Sequence, residues 1–160
     1  MTPIAQAAAI AVVTLGTGAA TVSVMNGDIP DMAVPEAEWS AGHELDGRAF
    51  HIEAMLDNGQ TDVDELRFAD GGFISMGCEE YCDFGYSDYR TWVDADGVIH
   101  FTATADCPTA PHRTVWHGQV AGDEITVEMS WTTRRWYWTH QINGAGGGPE
   151  IAAPDSAVSG

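Results

Sequence analysis

Between Phe50 and Ile142 apolar side chains recur at every second position, and this period restricts the fold more than any other feature of the chain. Phe50, Ile52, Ala54 and Leu56 alternate with His51, Glu53 and Met55. Leu66 and Phe68 flank Arg67, and Phe73-Ile-Ser-Met resumes an extended run. Tyr89-Arg-Thr-Trp-Val reads as another strand, and Ile99, Phe101 and Ala103 as the next. Trp116, Gly118 and Val120 share one face, as do Ile125, Val127, Met129 and Trp131. Trp136, Trp138, His140 and Ile142 share a face of the last. Successive side chains of a strand point to opposite faces, so each run presents one apolar face and one polar face. Short turns separate the runs, at Asp57-Asn-Gly-Gln, Asp70-Gly71-Gly72, Asp94-Ala-Asp-Gly97 and Ala121-Gly122-Asp123. The pattern predicts an all-β domain of about eight short antiparallel strands, with no helical periodicity between them. Sequential hairpins of this kind close into an up-and-down barrel or stack as a sandwich. The barrel is favoured because closure leaves no exposed edge.

The chain has 160 residues, a length that suits one domain. Six Trp, five Phe and four Tyr supply the bulk for a core. Charge is lopsided: 24 acidic residues stand against 6 basic ones, all arginine, for a formal net charge of −18. A field of that sign repels nucleic acid and anionic lipid, and DNA and RNA are set aside as partners. It serves solubility, or it draws in a cationic ligand or partner. No acidic cluster has the spacing of an EF-hand loop.

Composition divides the chain into four parts. Residues 1–25 carry no charged side chain, and the run from Ile4 to Leu15 is followed by the small residues Gly18-Ala19-Ala20. This reads as a cleaved signal peptide or a retained membrane anchor, although the first basic residue is Arg48. Either reading places the rest of the chain outside the cytoplasm, in a periplasm or in the medium. Residues 26–44, with two prolines and several acids, read as an acidic linker. Residues 45–143 hold the barrel, and the Gly/Pro/Ala-rich residues 144–160 read as a flexible tail.

Three cysteines are present, so in an oxidising compartment two pair and one is left over. Cys82 with Cys107 is the first choice, because it pins the Cys82-Asp-Phe-Gly loop to the Cys107-Pro108 turn. Cys78 with Cys107 is the second, and Cys78 with Cys82 the third. Cys78, Cys82 and one of His100, His112, His117 or His140 form a metal-ligand alternative, set against plain surface or rim histidines. The expected set of metals and cofactors is empty. No hydrolase elbow, zinc-protease, phosphate-loop or dinucleotide motif is present, and no catalytic residue is assigned. Trp116, Trp131 and Trp138 are the candidate binding residues. They either fill the interior or line an aromatic cup for an apolar or cationic ligand.

A resemblance enters on longer stretches. Leu45-Asp-Gly-Arg-Ala-Phe50, Leu66-Arg-Phe-Ala-Asp-Gly71, Cys82-Asp-Phe-Gly85, Ile99-His-Phe-Thr-Ala103, the hairpin from Trp116 to Ile125, and Trp131-Thr-Thr-Arg-Arg-Trp-Tyr-Trp-Thr139 resemble a family of small exported bacterial lipocalin-like proteins, largely of unknown function. The resemblance implies a calycin-type barrel and export, and no established reaction. It departs at the end, where an aromatic closing strand ending in glycine is replaced by Gln141-Ile-Asn-Gly-Ala-Gly, which leaves the N-terminal segment to help seal the barrel. The functional expectation is a non-enzymatic, extracytoplasmic binder of a small apolar or cationic molecule. The alternative is a membrane-anchored accessory subunit of an envelope complex, held through residues 1–25.

Overall fold

The computed structural model describes residues 22–25 and 27–154. The elements run β1 (Val22–Met25), β2 (Ser40–Ala41), β3 (Ala49–Leu56), β4 (Thr61–Ala69), β5 (Gly72–Ser75), α1 (Met76–Cys82), β6 (Ser87–Val93), β7 (Ile99–Asp106), β8 (His112–Ala121), β9 (Glu124–Arg135) and β10 (Trp138–Ile151). From β3 onward each strand pairs antiparallel with the next, and β10 returns to pair with β3. The strands therefore form a closed hydrogen-bonded ring, and the period-two pattern is its inner face. Phe50, Ile52, Leu66, Phe68, Phe73, Tyr89, Phe101, Trp116, Val120, Ile125 and Val127 are all buried inside. Phe68 sits at the hub, with ring centroids of Phe73, Tyr89 and Phe101 at 5.2, 5.0 and 5.1 Å.

Closure depends on the segment that composition reads as a tail. Residues 144–151 are the second half of β10 and pair on one side with β3 (Gly144 with Leu56 through Ile151 with Ala49) and on the other with β9. Glycine is needed at this seam because neighbouring backbones come close. A Cβ on Gly146 would run into the Glu53 carbonyl, and one on Gly148 into the His51 carbonyl. A glycine-rich stretch thus reads as flexible by composition and is ordered here by close approach. Of the expected tail, residues 155–160 lie outside the described residues.

The first half of β10 takes its other partner from the N-terminus: Val22 to Met25 pair with Gln141 to Trp138. β1 thus occupies the flank of β10 that β3 does not reach. Residues 1–21, which carry the rest of the signal-or-anchor expectation, lie outside the described residues. Among the described residues no helix is long and apolar enough to cross a membrane.

The stretch read as an acidic linker is fastened to the outer wall. Arg134 Nε donates to Asp28 at 2.8 Å and its Nη2 to Asp31 at 2.9 Å; Arg113 reaches Asp31 at 3.1 Å. Thr139 donates to the Gly27 carbonyl and Gln141 to that of Pro30, and Ile29 is buried. Further on, Ser40 and Ala41 pair with Thr91 and Arg90 of β6. Prolines and acids argued against packing, but the acids meet two of the chain's few arginines.

The extended run expected at Phe73–Met76 stops at Ser75, where α1 begins. Ser75 is the N-cap: its hydroxyl accepts from the Cys78 amide at 3.1 Å. Glu79 and Glu80 therefore lie on a helix. Trp136, expected on the inner face of the last strand, is in the turn between β9 and β10 and is 92% exposed.

Candidate functional site

Bulky rings fill one part of the ring's interior, around Phe68. Toward α1 a cavity of about 490 Å³ remains. Its floor is apolar: Ile52 and Ala54 from β3, Trp116 from β8 and Met129 from β9, all buried. Leu56, Trp131 and Ile142 continue the wall. Asp62 and Asp64 of β4 and Cys78, Glu80 and Tyr81 of α1 surround the mouth. Other grooves of comparable volume lie on the outer wall. One of about 530 Å³, beside Arg113 and Arg134, is crossed by the ion pairs of the N-terminal strap.

Helix α1 partly covers this mouth and is attached at three places. At its start, Asp64 Oδ2 accepts from the Ser75 hydroxyl at 2.5 Å and Oδ1 from the Gly77 amide at 2.8 Å. Along its length, Tyr81 meets the Trp131 ring edge-on, with centroids 5.1 Å apart, and Phe84 just beyond does the same at 5.4 Å. At its end, a disulfide joins Cys82 to Cys107, with Cα atoms 5.9 Å apart. Of the three pairings weighed from sequence, the first is the one present. It occupies Cys82, so the Cys78–Cys82–His ligand set does not form while the bridge stands.

Two of the three candidate tryptophans meet at the cavity and one does not. Trp116 lies on the floor and Trp131 on the wall. Trp138 is half-buried at the far end of the β9–β10 hairpin, opposite Arg135 and Met25, with its ring against Tyr137 and His140. The cavity ends near the pair Trp131–Ile142, and Trp138 lies four residues closer to the hairpin tip. It shares the parity of Ile142 but not its height along the strand.

No family model, curated protein or solved structure matches this chain.

Sequence reasoning missed the polar side of the site. Asp62 and Asp64 share parity with Leu66 and Phe68, so the backbone aims all four the same way. Carboxylates at the first two positions hid the strand's start. Extending the period backwards from Leu66 would have found them.

Burial is the largest influence on Asp64 and pushes its carboxyl above the ordinary range, against the opposing hydrogen bonds from Ser75, Gly77 and Glu65. Burial also pushes the Cys78 thiol up to about 12, with Asp64 and Asp62 adding to the effect. Cys78 is therefore protonated at neutral pH and a poor nucleophile. For Asp64 the sign of the linkage is clear. A carboxyl raised on folding destabilises the fold while charged, and this cost disappears as pH falls through the raised value toward 3.8. Urea unfolding of the wild type and of Asp64→Asn, which does not titrate in that range, should show the wild type gaining stability relative to the variant as pH is lowered from 7 to 4. A constant difference would mean that Asp64 is not desolvated.

Proposed function

We propose that this protein is a non-enzymatic, lipocalin-like binder of one small, mainly apolar molecule, acting outside the cytoplasm. The observation that carries this reading is the interior cavity of about 490 Å³ with its floor of Ile52, Ala54, Trp116 and Met129. Ligand cavities are commonly some 300–1,000 Å³, concave and mostly apolar with a few polar groups. A ring in which each strand pairs with its successor supports a calycin-type up-and-down barrel, and barrels of about eight strands have room for one small ligand. The Cys82–Cys107 bridge favours an oxidising compartment, and the uncharged N-terminal stretch favours export.

A neutral fluorescent probe such as N-phenyl-1-naphthylamine tests the reading. The probe should bind at one saturable site. Ala54→Phe, which fills the floor, should abolish binding while the near-ultraviolet circular dichroism stays native. Equal probe binding by the wild type and Ala54→Phe would remove the interior as the site.

A second reading, a membrane-anchored accessory subunit, draws on one feature. β1 ends with Met25 opposite Trp138, close to the hairpin tip where Trp136 is exposed, and exposed tryptophan suits a membrane interface; the uncharged residues precede the other end of β1, where Val22 pairs with Gln141. Intact-mass measurement of the protein from its native envelope tests it, because loss of the N-terminal stretch would leave no anchor.

A further inference from the structure

We propose that the interior site selects a cationic amphiphile, a molecule with an apolar body and an ammonium group, over neutral or acidic molecules of the same length. The proposal rests on the reading of the interior as a binding site and adds the charge of its ligand.

The cavity is graded by depth. Its floor, at Ile52, Ala54, Trp116 and Met129, is buried and without charge. Its mouth carries the carboxylates of Asp62, Asp64 and Glu80, two of them exposed. Among the described residues no arginine or histidine lines the cavity, and the chain has no lysine. Asp64 accepts from the Ser75 hydroxyl and from the backbone amides of Gly77 and Glu65, all neutral donors, and meets no positive charge among the described residues.

A ligand that enters tail-first leaves its head at this acidic mouth. A carboxylate head would sit among like charges in a partly desolvated site, where repulsion is strong. An ammonium head would instead supply the missing positive charge. Trp131, packed by Tyr81, Phe84 and His112, forms the apolar wall just below these carboxylates. A quaternary ammonium suits this site better than a strongly hydrated primary amine, since it gives up less water on entering.

Calorimetric titration of the full chain with decyltrimethylammonium, decanol and decanoate, all below their micellar concentrations, tests the proposal. The three share an apolar body and differ in head charge. We expect the cation to bind at least about tenfold more tightly than decanol, a ratio equivalent to about 1.4 kcal/mol, and decanoate to bind most weakly. The net charge of −18 attracts any cation, so the site must be separated from the field. Glu80→Gln at the mouth should weaken the cation by several-fold. Glu128→Gln, which removes an equal charge from the outer wall, should leave it within about twofold. Decanol or decanoate binding as tightly as the cation, or equal losses in the two variants, would overturn the proposal and leave the apolar binding site standing. Failure of all three compounds to bind would overturn the binding site as well.

Discussion

Phe68→Ala should be the most damaging single side-chain truncation in this protein, with an expected loss of about 3–5 kcal/mol. Phe68 is 1% exposed and reaches four other rings. Phe50 lies at 6.2 Å and Phe73, Tyr89 and Phe101 at 5.0–5.2 Å, mostly in tilted or edge-on geometry, which adds to the burial of each ring. These neighbours belong to β3, β5, β6 and β7, so one side chain on β4 ties together five of the strands that close the ring. The void left by alanine cannot collapse without moving hydrogen-bonded backbone on several sides. The loss is a large fraction of an ordinary domain stability of about 5–15 kcal/mol. Urea unfolding followed by far-ultraviolet circular dichroism measures it. Phe84→Ala is the comparison, because Phe84 touches Trp131 outside this cluster and should cost much less. A Phe68→Ala loss below about 1 kcal/mol would mean that the aromatic hub does not hold the ring together.

The alternation that made the ring legible is also the reason its site was only half legible. Where an inward position is apolar, as at Phe50, Ile52, Phe101 or Val127, periodicity and burial coincide. At the cavity they part company. Asp62 and Asp64 face inward because the backbone period puts them there, and a cavity next to them removes the pressure to be apolar. Helix α1 has seven residues, fewer than two full turns, too few for a helical period to show against the strands on either side. Its one local signal is the cap, Ser75 ahead of an acidic first turn.

Two other segments were misread because composition stood in for context. Residues 27–31 look like a solvated linker until Arg113 and Arg134 are placed opposite Asp28 and Asp31, a pairing between residues more than eighty positions apart. Gly144 to Gly148 look disordered until two neighbouring strands are seen to need the space a side chain would take. Local propensity carries no information about either long-range partner. The cysteines were more readable, because Cys82 and Cys107 each mark a loop, at Cys82-Asp-Phe-Gly and Cys107-Pro108, and the bridge joins the two.

Removing the disulfide should loosen the lid before it unfolds the ring, and the two effects are separable. Cys82 ends α1 and Cys107 follows β7, with a sequence separation of 25. Opening a loop of that length should cost about 3 kcal/mol through the greater freedom of the unfolded chain. The double variant Cys82→Ala/Cys107→Ala should therefore unfold at distinctly lower urea concentration than the oxidised wild type. The local effect has a different origin. A helix of seven residues does not persist in water by itself, so α1 depends on its attachments. Without the bridge it retains the Asp64 contacts to Ser75 and Gly77 at one end and the rings of Tyr81 and Phe84 on Trp131 at the other. Amides of residues 76–82 should then exchange hydrogen by local opening, well below the urea range in which β3 through β10 open together. A bound apolar probe should also leave the cavity faster while its equilibrium affinity changes less, since the floor is untouched. If instead α1 and the ring lose protection together in the variant, the helix is an integral part of the wall and not a lid over the site.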